Sequence, residues 1–275
     1  WARQIRQRLQ GATVAPVDPP AVLHPLHRSA LLQGMSLADR DLLTQRFRAA
    51  TPVGEWESRQ AALAHLETLV PVWGMRQWRA VLGMHVLVGV AGSGRTTMLF
   101  KMARHIRAAG RRVAAIGLFP QHNHQTRAFL AAADEIGISA AMAATEDAWE
   151  RTLETFAGCE TLLVHTPCLL SDSGTARRLR RLASMRRAST FVHHVVNLHH
   201  TSRSLLRQVQ QIDTLDPDFR AIAQADLAPG PGALFSLQLQ HRTPLSVVNR
   251  DAWMDGDLVP FGVDAILESL LKTVD

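Results

Sequence analysis

The chain changes rhythm near residue 80. Before it, apolar positions recur at helical spacing; after it, short unbroken apolar runs alternate with amphipathic stretches. The runs lie at 86–90, 113–116, 162–164, 192–196 and 245–248. Runs without polar alternation are those of strands buried on both faces, as in a parallel sheet. Between them, 98–109, 125–136, 148–156, 203–212 and 233–240 predict helices. Strand–helix alternation of this kind predicts an α/β domain over 79–275, with a doubly wound, mostly parallel sheet.

The upstream segment 21–78 predicts an all-α helical bundle. Leu26, Ala30 and Leu31 open one amphipathic stretch that ends near Gly34. Ser36 is placed to cap the next, with Leu37, Leu42, Leu43 and Phe47 as its apolar positions, and Thr51-Pro52 stops it. Residues 56–69 form a third, with Leu63, Leu66 and Val70 on one face. Residues 1–12 predict a short basic helix whose Trp1, Ile5 and Leu9 stripe would dock on a protein or a membrane surface. The proline-rich 14–20 is a linker, so 1–20 stand apart from the bundle. Residues 266–274 predict a closing helix packed back on the bundle. The first residue is Trp1, so a longer protein is expected upstream.

Composition narrows the function classes. At 275 residues and 47% hydrophobic, the chain can bury a sizeable core. The net charge of +6 is carried by arginine, since Lys101 and Lys272 are the only lysines. No aromatic–basic motif or compact basic stripe accompanies that charge, so no nucleic-acid partner is expected. Cys159 and Cys168 lack C-x-x-C spacing, which fits a reduced, cytoplasmic protein. No apolar run approaches the ~20 residues of a membrane span. The pairs His193/His194 and His199/His200 and the H-x-H at His122 and His124 have no supporting ligand spacing for a metal.

The strongest chemical signal is HVLVGVAGSGRTTMLF, residues 85–100, which fits G-x-x-x-x-G-[KR]-T-T from Gly89 to Thr97. In a phosphate-binding loop, glycines allow backbone N–H groups to close around phosphates at a helix N-terminus. Candidate nucleotide-binding residues are Gly89, Gly92, Ser93, Gly94, Arg95, Thr96 and Thr97, with the Thr96 hydroxyl as candidate magnesium ligand. Arg95 stands where such loops carry lysine. A planar fork pairs with phosphate oxygens but is wider and differently aimed than an ammonium, so weakened or altered binding is expected.

A helical segment, then GVAGSGRTT, a helix, RRVAAIG, and a helix ending DEIGIS together resemble the NG module of signal-recognition-particle GTPases, most of all the flagellar placement protein FlhF branch. The resemblance covers about 22–275. Its register sets the family's D-T-Y-R on Phe119, Pro120, Gln121 and His122, and its D-T-A-G on His165, Thr166, Pro167 and Cys168. The guanine-reading T-K-L-D falls on Ala223, Gln224, Ala225 and Asp226, so the carboxylate of Asp226 is kept as a candidate base contact. The T-x-G-Q after the last strand falls on Asn249, Arg250, Asp251 and Ala252.

The resemblance implies a GTPase lineage with GTP and Mg²⁺ as cofactors, while these replacements leave no catalytic residue. Phosphoryl transfer rests on positioned groups that neutralise developing charge, and losing one such element costs ~10²–10³ in rate. The expectation is a hydrolysis-deficient pseudo-GTPase acting as a protein-interaction module in flagellar assembly. It would work as a homodimer or paired with an SRP-type GTPase, in the cytoplasm or peripherally at the inner membrane face or cell pole. The alternatives are a GTP-binding switch using Arg95, Thr96 and Asp226, and SRP-type membrane protein targeting.

Overall fold

The computed structural model describes residues 24–28, 32–73, 77–119, 123–168, 189–228, 230–251, 256 and 258–259. The expected elements at 1–20 and 266–274 lie outside the described residues, as do Pro120, Gln121 and His122. In chain order the helices and strands are α1 (Pro25–Arg28), α2 (Leu37–Ala50), α3 (Arg59–Glu67), β1 (Gly83–Val88), α4 (Arg95–Ala108) and β2 (Val113–Leu118). Then come α5 (Asn123–Glu135), β3 (Ser139–Ala143), α6 (Glu146–Thr155), β4 (Thr161–His165) and β5 (Thr190–Asn197). The described chain closes with α7 (Ser202–Ile212), β6 (Phe219–Ala223), α8 (Gly232–Gln240), β7 (Leu245–Asn249) and β8 (Leu258–Val259).

One eight-stranded sheet runs in the order β3-β2-β4-β1-β5-β6-β7-β8. Its ladders are parallel except the last, where β8 runs against β7. The doubly wound α/β reading therefore holds, and each unbroken apolar run is a strand. Strands β3, β6 and β8 were not expected. Ser139–Ala143 is mostly alanine and Phe219–Ala223 carries an arginine and two alanines, so neither shows a run of branched residues. Ladder partners on β2 and β5 make them strands.

Ser36 caps α2 through its Oγ, which accepts from Asp39 N at 3.2 Å, and Ser58 caps α3 in the same way. Leu43 and Phe47 of α2 and Leu66 of α3 belong to one apolar cluster with Val196, Ile222, Leu205 and Leu234. The described N-terminal helices thus share a core with β5, β6, α7 and α8. On the opposite face, Met98, Leu99 and Ile106 of α4 pack on Leu87, Leu163 and Val195. A third cluster joins Trp149 and Phe156 to Val88, Ile116 and Val164. Each fully buried leucine of this kind contributes roughly 1.5–3 kcal/mol. Among the described residues, no helix is long and apolar enough to cross a membrane.

This topology positions the site. β1 is central, with β4 on one side and β5 on the other. The chain leaves β1 toward β2 and later crosses to β5, so the winding direction reverses beside β1. Such a reversal opens a crevice at the carboxyl ends of the strands.

Candidate nucleotide site

The loop after β1 keeps the backbone of a phosphate cradle. Gly92 and Gly94 have φ of +71° and +89°, in the left-handed region that only glycine enters without strain. A Cβ at Gly92 would meet nothing within 4 Å, so its requirement is conformational. At Gly89 the requirement is space, because a Cβ would sit 2.6 Å from Ser93 Oγ and 2.9 Å from Val195 O. Gly94 precedes α4, and no side chain caps that helix. Its first N–H groups are therefore available to an anion, reinforced by the positive end of the helix dipole. The buried hydroxyl of Ser93, beneath the loop, has no hydrogen-bond partner.

Arg95 is turned inward. Its Nη1 donates to Thr166 O at 2.5 Å and to Pro167 O at 2.7 Å, and its Nη2 donates to Val90 O at 3.3 Å. The side chain is 8% exposed, and burial lowers its pKa. The guanidinium thus braces three carbonyls, two of them in the segment that follows β4. A lysine in this place would present a compact charge free to swing to a phosphate; the fork is committed to backbone.

Thr96 is exposed, and its hydroxyl pairs with His165 Nε2 at 3.1 Å. Burial first and Arg95 second push His165 down to about 3, so its ring is neutral near pH 7. Beside them lies a cavity of about 450 Å³ lined by Phe119, Phe129, Met142 and Cys168 together with Arg95, Thr96 and His165. Phe119 adopts φ +46°, a strained conformation for a bulky residue. None of the described lining residues is a carboxylate. Magnesium favours oxygen ligands from carboxylates, water and phosphates. The donor set around Thr96, a hydroxyl beside a neutral imidazole, does not fit that ion, whereas the backbone cradle fits a phosphate.

The fold brings the distant candidate quartet to the same loop. A Cβ on Gly94 would lie 2.9 Å from Cβ of Ala223, at the end of β6. Gln224 follows in a left-handed conformation at φ +52°, and its Oε1 accepts from Asn197 Nδ2. Asp226 is exposed on the short 3₁₀ turn Ala225–Leu227. Asp251 is held elsewhere: its Oδ1 lies 2.7 Å from Lys101 Nζ, which also donates to Asn249 Oδ1 at 2.6 Å.

Two participants escaped the sequence reading. Lys101, fully buried on α4, ties the phosphate-loop helix to the segment after β7. Its signal was available, as one of two lysines in an arginine-rich chain and flanked by Phe100 and Met102. Asn197, which holds Gln224, carried no signal because it sits at the end of an apolar strand.

No protein-family profile and no curated protein matches the chain. Solved structures do. The chain is similar to FlhF complexed with GTP and Mg²⁺, at 15% identity over 90% of this chain and 99% of that one, with a TM-score of 0.73. It is also similar to chloroplast FtsY from Physcomitrella patens, at 18% identity over 89% and 86% of the two chains and a TM-score of 0.74. The signal recognition particle receptor FtsY from Elizabethkingia anophelis in complex with GDP gives 15%, 90%, 84% and 0.71. The chain thus has the α/β fold of the SRP-type GTPase NG module, as in FlhF and FtsY.

Proposed function

We propose that this chain is a pseudo-GTPase: an NG-type fold that retains a phosphate cradle, has lost triphosphate cleavage, and works through protein contacts. The observation that carries it is the commitment of Arg95 to the carbonyls of Thr166, Pro167 and Val90. Cleavage needs a mobile cation on the transferring oxygens, a metal ion and a positioned water. Here the loop's cation is spent on backbone, Thr96 faces a neutral imidazole, and Phe119 stands where the resembled family has its acidic residue.

Similarity to FlhF supports a setting in flagellar assembly or placement, with a second copy of this chain or an SRP-type GTPase as partner. A cytoplasmic, peripherally membrane-associated location accompanies that reading. Phosphate release from GTP by the purified protein tests it: wild type and Arg95→Ala release phosphate at the same rate. Release by wild type well above the variant overturns the proposal. Light scattering after size exclusion, with and without GTP, separates a constitutive dimer from a monomer and from nucleotide-driven pairing.

A second reading, a GTP-binding switch without efficient cleavage, is favoured by the intact conformations of Gly92 and Gly94 and by the unpartnered Ser93 hydroxyl. Titration with a fluorescent GTP analogue decides between them. Micromolar binding that is lost in Asp226→Asn supports the switch, and no binding at millimolar nucleotide supports the protein-interaction module.

A further inference from the structure

The cavity beside Thr96 has its own chemistry. Its volume of about 450 Å³ lies within the roughly 300–1,000 Å³ of small-molecule sites. One wall is apolar, made by Phe119, Phe129 and Met142, and Phe129 lies tilted against further rings at Phe100 and His165. The other end is formed by Arg95 and Thr96, in the first turn of the fourteen-residue α4. His124 and Gln125 of α5 also line the cavity. The described lining contains a guanidinium and no carboxylate, which gives the polar end a positive potential.

We propose that this cavity binds a small organic anion, with its phosphate or carboxylate at the Arg95–Thr96 end and its apolar body between Phe119, Phe129 and Met142. The proposal rests on the reading that the site no longer serves triphosphate cleavage, and it names what the vacated chemistry selects. Arg95 contributes charge rather than new hydrogen bonds, because its fork is engaged with carbonyls. The anion is met by N–H groups of α4 and by the Thr96 hydroxyl, which can leave His165 at little cost because it is exposed. A neutral His165 leaves the apolar half free of a second charge.

Calorimetric titration of the full chain with 1-naphthyl phosphate, 1-naphthoate and 1-naphthol tests this. The two anions bind at one site per chain, the neutral alcohol at least about tenfold more weakly, and the ratio of the anions distinguishes phosphate from carboxylate sources. Ala128 lines the cavity from an exposed position on α5, so Ala128→Phe fills the space and weakens all three ligands. Thr96→Glu places a negative charge in the first turn of α4, where it suits the helix, and weakens only the anions by about tenfold. Equal affinity for alcohol and anions, indifference to Ala128→Phe, or no saturable binding overturns the proposal. GTP turnover by wild type would sink the pseudo-GTPase reading by itself, whatever the naphthyl ligands do; their failure to bind, without turnover, sinks the cavity proposal alone.

Discussion

His85 Nδ1 and His193 Nε2, both on fully buried rings, lie 2.9 Å apart across β1 and β5 in a chain of hydrogen bonds. The chain has one direction. His85 Nε2 must donate, because its partner at 3.2 Å is the carbonyl of Leu82. In a neutral ring Nδ1 then accepts, so His193 Nε2 donates to it, and His193 Nδ1 accepts from Ser246 Oγ at 3.0 Å. Trp73 covers the pair, with ring centroids 5.5 and 5.6 Å from the two imidazoles. Protonating either ring breaks the chain and strands a charge in an aromatic core.

Acid should therefore unfold this protein early. Burial holds His85 at about 4 and His194, with Arg220 beside it, at about 3, and it pulls His193 well below 6.5. Because the folded pKa values lie below the unfolded value, stability is complete above pH 6.5 and falls as pH drops from there toward 3–4. For His85 the shift from 6.5 to about 4 corresponds to about 3 kcal/mol. Thermal melts from pH 8 to pH 4 show a steep fall in Tm below pH 6.5; a flat profile would contradict the buried neutral rings.

Arg95→Ala should lower stability by about 2–3 kcal/mol, as three buried carbonyls lose a charged donor. Denaturant unfolding measures this directly. An unchanged midpoint would mean that the fork is not braced as described.

Lys101→Met should cost about 3–5 kcal/mol, since it leaves the oxygens of Asn249 and Asp251 without their buried donor. Asp251→Asn added to it should cost less than the two single changes summed. A double-mutant cycle reads the coupling, and strict additivity would show that the two groups do not share one interaction.

Glycine substitutions in the loop should differ in size for a stated reason. Gly92→Ala bears only the left-handed backbone, about 1 kcal/mol. Gly94→Ala adds a Cβ 2.9 Å from Ala223 and should cost at least twice as much by equilibrium unfolding. Equal losses would mean that Ala223 moves aside freely.

The strand runs and the glycine spacing of the phosphate loop were legible because both are local: apolar continuity marks burial on two faces, and three glycines mark an unusual backbone. Strands Ser139–Ala143 and Phe219–Ala223 were illegible, since alanine has little strand preference and their ladders come from distant partners. The fate of each site residue was likewise hidden. Arg95 read as a phosphate ligand of altered shape, and nothing in its neighbours announced that Thr166 and Pro167 would supply carbonyls for it.

By itself the sequence determined the alternation of strands and helices, the cradle after β1 and the absence of acidic residues from the motif positions at Phe119 and His165. Those follow from residue type and spacing, which act over a few bonds. Tertiary structure alone decided where charge resides: it turned Arg95 inward, closed Lys101 onto Asp251, and neutralised four histidines by burial. Electrostatic character depends on desolvation and on partners brought from β4, β5 and the segment after β7, and no local pattern in the chain encodes those distances.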